Sequence, residues 1–309
     1  MADKKQILIL EELGVPRATF EEIAAKAGLS FNIVWENPTK ADSVEVIVTV
    51  KTKVGQQLLA KYPNTKVIAV AFTGYDCVDL DICRRKDIAV YNVPAYSTNS
   101  VAELAVGLAI SLLRELPAAN NVVHSGKWNL KPGQELSGKT VGILGTGSIG
   151  TLVANYFKTF GCNIVGWSRT EKEQFKLLGN YISDLQKFFS TPDIISIHLP
   201  LNVETKGLVG KEELSAMRST AYLINTARGP IVDEKALIEA LSTNKIAGAA
   251  LDVFTQEPID PESRLLHLEN VILTPHIAYK TIEALEHRAR ITINNIINFQ
   301  NGNKTNRVG

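Results

Sequence analysis

The sequence predicts an α/β chain built on parallel sheets, and three observations predict it. Short apolar runs alternate with helical or charged segments along most of its length. One such run, Val141 to Leu144, ends in the turn Gly145-Thr146-Gly147-Ser148-Ile149-Gly150. Beyond it Ile149, Leu152, Val153, Tyr156, Phe157 and Phe160 keep to one helix face, Gly161 stops the helix, and Asn163 to Trp167 starts a second strand. Strand, glycine turn and helix in that order open a βαβ unit.

In chain order, the first runs are Gln6 to Leu10, Thr19 to Ala27, Val44 to Val50, Gly55 to Lys61, Val67 to Phe72, Val78 to Arg85 and Ile88 to Asn92. Their alternation predicts a small parallel α/β domain. Pro94-Ala95-Tyr96-Ser97-Thr98 is a break, after which Asn99 or Ser100 can cap a helix running through Leu113. That helix holds the most hydrophobic long segment, Val101 to Leu113, but Glu103 and its length leave it short of a membrane span, so it reads as a buried helix. Glu115 to Leu136, with Trp128 and Pro132, reads as an irregular surface connection. After the glycine turn come strands Ile194 to Leu199, Ala221 to Thr226, Ala247 to Val253 and Val271 to Leu273. A last helix, Thr281 to Gln300, carries Ile282, Leu285, Ala289, Thr292, Ile293 and Ile296 on one face and can return to the first domain. The expected division is therefore 1–98, 99–280 and 281–309, the middle domain inserted into the first. Two connections then make a hinge on which a cleft closes.

Composition narrows the class. The chain has 309 residues, 45% hydrophobic and 21% charged, enough for about two ordinary soluble domains. Its 33 basic and 32 acidic residues leave a net charge of +1, which gives no broad footprint for nucleic acid or membrane. The apolar run Ile7 to Leu10 is too short for a signal segment. Cys77, Cys83 and Cys162 show neither disulfide nor metal-ligand spacing; they read as small core residues in a reducing cytoplasm, and no metal is expected.

The glycine turn has a physical reading of its own. Gly145 permits the tight exit from the strand, Gly147 lets backbone approach a pyrophosphate, and Gly150 lets the helix pack closely, so a dinucleotide would rest on the helix N-terminus. An NAD-preferring site places an acid at the end of the second strand. Here that tip reads Ser168-Arg169-Thr170, a hydroxyl and a guanidinium that suit a 2′-phosphate, so NADP(H) is expected over NAD(H). The competing reading makes Arg169 a solvated loop residue. Arg228 in N-T-A-R-G, Glu257 in Q-E-P and His276 in T-P-H-I-A all stand beyond late strands, where open α/β sheets bind ligands. Singly, each also fits a structural role. His198 ends a strand and neighbours the expected cofactor; His124, His267 and His287 read as surface or structural.

Together with T-G-Y-D-C-V-D at 73–79, N-V-P-A-Y-S-T at 92–98, V-A-E-L-A at 101–105, H-L-P-L at 198–201 and A-L-D-V-F at 250–254, these motifs resemble the D-isomer-specific 2-hydroxyacid dehydrogenase family over nearly the full length. The resemblance implies a doubly wound Rossmann-type cofactor domain inserted into a smaller flavodoxin-like α/β substrate domain. It implies that Arg228 binds the carboxylate of a 2-oxo acid and polarises its carbonyl. His276 would be the general acid, and Glu257 would orient the imidazole and favour its protonated form. Cofactor contacts would come from residues 145–150, Ser168, Arg169, Thr170, His198, Pro200, Thr205, Thr226, Ala227, Arg228 and Asp252, the last holding the nicotinamide carboxamide. Substrate contacts would come from Lys51, Phe72, Thr73, Gly74, Arg228 and His276. The stretches 49–52, 73–75 and 94–98 are similar to the glycerate dehydrogenase, or hydroxypyruvate reductase, branch, in which the position of Val50 is often asparagine. Hydroxypyruvate, with glyoxylate second, is the expected substrate. Phosphoglycerate dehydrogenase is the enzyme alternative, although the chain ends near its closing helix without room for the regulatory domain some such enzymes carry. An NAD(P)-sensing interaction protein is the non-enzyme alternative. The family further suggests a homodimer, with the helix from Val101 and the stretch to Leu136 as its interface.

Overall fold

Alternating strands and helices put every ladder between the described strands in parallel register, as crossover connections require. The computed structural model describes residues 5–36, 38, 40–129 and 131–309. Residues 1–4, which precede the run read as too short for a signal segment, and residue 130, inside the connection read as irregular, lie outside the described residues. The chain divides into two compact units, Met1–Ser97 with Lys280–Gly309, and Thr98–Tyr279.

The first unit contains β1 (Gln6–Ile9), α1 (Arg17–Lys26), β2 (Asn32–Trp35), β3 (Val44–Thr49), α2 (Gln56–Lys61), β4 (Val67–Val70), α3 (Leu80–Arg85) and β5 (Ala89–Tyr91). Among the described residues its sheet has five strands in the order β2-β1-β3-β4-β5, the flavodoxin-like arrangement. β1 and β4 are buried at every position because helices cover both faces, so they read as continuous apolar runs. No element is expected between Ala27 and Val44, yet Asn32–Trp35 pairs with β1. That strand is four residues long and only partly buried at the sheet edge, and its apolar run, Ile33 to Trp35, is too short to mark an element by itself.

The second unit follows with α4 (Thr98–Leu113), α5 (Leu116–His124), β6 (Thr140–Leu144), α6 (Ser148–Thr159), β7 (Asn163–Trp167), α7 (Glu173–Lys176), β8 (Asn180–Tyr181), α8 (Leu185–Ser190), β9 (Ile194–Ile197), α9 (Lys211–Ala216), β10 (Tyr222–Asn225), α10 (Glu234–Ser242), β11 (Gly248–Leu251) and β12 (Val271–Leu273). The seven described strands run β12-β11-β10-β9-β6-β7-β8. Strand order reverses between β6 and β9, the doubly wound switch point where such sheets bind ligands.

Two local expectations in this unit are corrected. The helix expected after Asn99 or Ser100 already begins at Thr98, so both lie within its first turn and neither is its cap. Its buried face, from Val101 through Leu113, packs in the core beside β6 and α6. The stretch read as irregular from Glu115 opens instead with α5, where a proline in the first turn pre-sets a helical φ. Among the described residues, no helix is long and apolar enough to cross a membrane.

The chain closes with α11 (Ile282–Gln300) in the first unit, capped by Thr281 accepting from the Ala284 N–H at 3.2 Å. Leu285, Ala289, Ile293 and Ile296 are buried as expected, whereas Ile282 at the first turn is 76% exposed. The buried face also carries three polar residues, Arg288, Thr292 and Asn295. Arg288 donates to the Leu13 carbonyl and lies 5.7 Å over the Tyr96 ring. The cysteines are free thiols, and burial pushes Cys77 and Cys83 up to about 11, which suits packing rather than reactivity.

Candidate active site

The glycine turn sits at the switch point, and its geometry follows from crowding. Gly145 has φ +101°, and a Cβ there would come 2.7 Å from the His198 carbonyl oxygen of the crossing strand end. A Cβ on Gly150 would meet the Gly145 carbonyl oxygen at 2.0 Å, so α6 can approach β6 only without one. Gly147 is different: it forms the N-cap of α6 without a side-chain cap, and a Cβ on it would enter open space. Backbone approach by a pyrophosphate fits that opening and the positive end of a twelve-residue helix. The helix ends as the sequence predicts. Gly161 at φ +83° donates to the Lys158 carbonyl and Cys162 to that of Phe157, a Schellman stop.

The loop after β7 is tied down by a residue the sequence did not mark. The Tyr181 hydroxyl lies 2.6 Å from Thr146 Oγ1 and accepts from the Lys172 N–H at 2.9 Å. Thr146 is buried, so it offers a ligand backbone rather than hydroxyl. Ser168 is half-buried, and Arg169 and Thr170 are exposed. Arg169 is ion-paired with Glu204, both in water, where such a pair contributes little and its cation can change partners.

Residues after β9 mostly hold themselves. Thr205 Oγ1 donates to the Pro200 carbonyl at 2.6 Å and accepts from the Asn202 N–H at 2.8 Å, while Asn202 accepts from the N–H groups of Glu204 and Thr205. Thr205 thus shapes the loop that presents Pro200 and Glu204. His198 Nε2 lies 2.8 Å from Ser196 Oγ, and burial depresses its pKa to about 3, so the ring is neutral and does not serve as an acid near neutral pH.

Beyond β10 the buried Asn225 holds the Arg228 segment. Its Oδ1 accepts from the Ala227 N–H at 3.0 Å and its Nδ2 donates to the Arg228 carbonyl at 2.9 Å. Arg228 Nη1 donates to the Ala227 carbonyl at 2.7 Å. Beside it, Thr226 Oγ1 is a buried hydroxyl with no protein partner among the described residues, an orphan that a ligand amide or hydroxyl would satisfy.

Past β11 and β12 the geometry is tighter. His276 Nδ1 lies 2.6 Å from Glu257 Oε2, with the two side chains 13% and 29% exposed. Glu257 Oε1 accepts from the Phe254 N–H at 3.3 Å. His276 adopts φ +53°, and its N–H donates back to the Thr274 carbonyl at 2.9 Å. The fully buried Asp252 clasps this turn: Oδ1 accepts from Thr274 Oγ1 at 2.6 Å and from the Ile277 N–H at 2.8 Å, and Oδ2 from the Ala278 N–H at 2.8 Å. The bonds of Asp252 therefore serve the loop that carries His276. Tyr279 adds an edge-on ring contact to His276 at 5.6 Å.

The structure thus brings His276, Glu257 and Asp252 into one bonded group and places Arg228 and Thr226 on the neighbouring strand end. Asn225, Thr274, Tyr181 and Glu204 are the residues the sequence reading missed. Asn225 and Thr274 sit inside motifs already singled out, whereas nothing local marks Tyr181 or Glu204. Among the described residues, no cluster of three His, Cys, Asp or Glu side chains is placed to hold a metal.

In the first unit, two loops at the strand ends carry the remaining expected contacts. Lys51 follows β3 and is exposed. Glu11 Oε1 accepts from the N–H groups of Val50, Lys51 and Thr52 at 2.9, 2.9 and 2.7 Å. Burial raises its pKa, but these backbone bonds outweigh it and hold the carboxyl below its ordinary value. Phe72, Thr73 and Gly74 follow β4, with Phe72 buried and Thr73 exposed.

Comparison with known proteins gives the same family from several directions. Residues 106–278 match the model of the D-isomer specific 2-hydroxyacid dehydrogenase NAD binding domain. A glyoxylate reductase of Thermococcus litoralis is 40% identical over 289 residues, covering 87% of each chain. A hydroxypyruvate reductase of Blautia hydrogenotrophica is 32% identical, covering 87% of this chain and 86% of its own. A D-3-phosphoglycerate dehydrogenase of Archaeoglobus fulgidus is 36% identical over 91% of this chain but only 54% of its own. Among solved structures, D-lactate dehydrogenase of Aquifex aeolicus, complexed with NAD and lactic acid, superposes with a TM-score of 0.86 at 32% identity, covering 98% of this chain and 99% of that one.

Proposed function

The chain belongs to the D-isomer-specific 2-hydroxyacid dehydrogenase family and is a nicotinamide-dependent oxidoreductase; from that premise we propose that it reduces hydroxypyruvate to D-glycerate and glyoxylate to glycolate, preferring NADPH. The observation that carries the chemistry is the 2.6 Å bond between His276 Nδ1 and Glu257 Oε2 on a turn clasped by Asp252. With Nδ1 engaged, Nε2 is the nitrogen that carries a proton to the substrate.

Residues 145–150 would hold the cofactor's pyrophosphate on the α6 N-terminus, and Thr226 Oγ1 would take one of its polar groups; when bound, a reduced nicotinamide would supply the hydride. Arg228 fixes the 2-oxo acid by its carboxylate, as a forked and always-charged guanidinium does well, and polarises the carbonyl. His276 then protonates the carbonyl oxygen as the carbon receives the hydride, and Glu257 keeps the ring in the productive orientation. The alcohol leaves with the proton from Nε2, which solvent restores. As the family resemblance implies, Lys51 contacts the substrate, and the backbone of Phe72, Thr73 and Gly74 receives its carboxylate.

Four features support the finer assignments. Relatives acting on small 2-oxo acids match over most of both chains, whereas the phosphoglycerate dehydrogenase relative is matched over about half its length. Arg169, exposed beside Ser168 on a tip that lacks an acid, supports the NADPH preference. Leu116, Val123 and Trp128, large apolar side chains exposed on α5 and just after it, support a homodimer. Three free cysteines suit a reducing cytoplasm.

The deciding experiment measures kcat/KM for hydroxypyruvate, glyoxylate, pyruvate and 3-phosphohydroxypyruvate with both cofactors. Hydroxypyruvate with NADPH is expected to lead. Fastest turnover of the phosphorylated acid would move the chain to the phosphoglycerate dehydrogenase reading, which the Archaeoglobus relative favours.

A further inference from the structure

Three asparagine amides in the first unit form a chain that ends at the Phe72–Gly74 loop and plays no part in proton or hydride transfer. Asn306 Nδ2 donates to Asn295 Oδ1 at 2.9 Å. Asn295 Nδ2 donates to the Asn92 carbonyl at 2.7 Å, and Asn92 Nδ2 to the Thr73 carbonyl at 2.7 Å. Asn295 is fully buried on α11 and Asn92 nearly so at the end of β5. The backbone reinforces the route. Asn92 N–H donates to the Asn306 carbonyl at 3.1 Å, while Tyr91 and Arg307 form an antiparallel bridge that lays the tail on the free edge of β5.

Peptide geometry turns this chain into an orienting device. The Phe72 carbonyl accepts from the Val93 N–H at 3.0 Å, and the Thr73 carbonyl from Asn92 Nδ2, so both carbonyls face the 92–93 segment. In a trans peptide the N–H points opposite to its carbonyl. The N–H groups of Thr73 and Gly74 therefore both turn away from 92–93, and Thr73 Oγ1, donating to the Val93 carbonyl at 2.9 Å, pins the turn. Successive N–H groups on one side make an anion-binding concavity.

We infer that Asn92, held in place by Asn295 and Asn306, is a positioning residue that aims the Thr73 and Gly74 N–H groups at the substrate carboxylate, so that the tail around Asn306 sets the affinity for the 2-oxo acid. The inference rests on the reading of the 72–74 loop as the carboxylate-receiving loop. A buried amide that loses its partner shifts or flips, and the peptide it held turns with it.

The test uses the full-length enzyme with NADPH and whichever of hydroxypyruvate and glyoxylate turns over faster. Asn306 has φ +65°, a conformation glycine accepts, so Asn306→Gly removes the amide while keeping the backbone. Asn306→Gly should raise KM about threefold and Asn92→Ala about tenfold, with kcat within about twofold, as for lost uniform binding. NADPH affinity by fluorescence and the thermal midpoint should stay near wild type for Asn306→Gly. Because both act through Asn92, the double variant should be no worse than Asn92→Ala alone. Unchanged KM in both single variants, or additive effects in the double, overturns the inference. Gly74→Pro, which deletes one of the N–H groups, separates the two levels. If it raises KM while the asparagine variants do not, only the amide chain is wrong; if it leaves KM unchanged, the loop assignment itself falls.

Discussion

At the scale of single residues, the site depends on groups whose directions are fixed by neighbours. His276 owes its orientation to Glu257 on one ring nitrogen and to a positive-φ turn clasped by Asp252. His276→Ala is accordingly expected to lower kcat by about 10²–10⁴-fold, the usual worth of a general acid, while NADPH still binds in a fluorescence titration; retained turnover would remove His276 from that role. The Arg169–Glu204 pair makes a second residue-scale prediction. Arg169→Ala should weaken NADPH selectively, and Glu204→Gln, by releasing the guanidinium and removing a like charge from a 2′-phosphate, should strengthen it. Comparison of kcat/KM for NADPH and NADH in both variants checks this, and a wild-type preference for NADH would end the assignment.

At the scale of elements, short side-chain contacts decide how loops are held. Glu11 binds the 50–52 loop through three consecutive N–H groups, and its carboxyl lies below the ordinary value. A depressed folded-state pKa contributes stability that is present above the unfolded value and lost as pH falls through the folded one. The thermal midpoint of wild type should therefore exceed that of Glu11→Gln near neutral pH, and the gap should close as pH falls below the ordinary carboxylate range and the Glu11 carboxyl takes up its proton. A gap independent of pH would show that the carboxylate charge does not matter to the loop. Elements also show where sequence patterns lose resolution. α6 was legible from start to Schellman stop because one apolar face and one glycine define it. β2 was not, since its apolar run, Ile33 to Trp35, is only three residues long and shows no alternation. α5 was hidden because asparagines and a proline read as irregular until the proline is seen to occupy the first turn.

At the scale of the molecule, each unit has its own sheet order, 2-1-3-4-5 in the first and a switch between β6 and β9 in the second. Leu116, Val123 and Trp128, the last 85% exposed, are large apolar side chains exposed on the second unit, which the proposed homodimer would cover. Light scattering is expected to give twice the chain mass, and Trp128→Glu should shift it toward the monomer; a monomeric wild type would reject the dimer.

The sequence by itself determined the parallel α/β class, the glycine turn with its helix, and the residue types of the site, because these follow from local periodicity and from chemistry that few side chains perform. Tertiary structure alone decided which groups hold those residues. Asp252 clasps the His276 turn from a strand 22 to 26 residues away, Asn295 reaches Asn92 across 203, and Glu204 meets Arg169 across 35. Such pairings are set by which strand ends and helix faces the topology brings together, and no local pattern records them. A buried asparagine on an apolar helix face looks like a flaw in the periodicity until the fold supplies the carbonyl it was placed to meet.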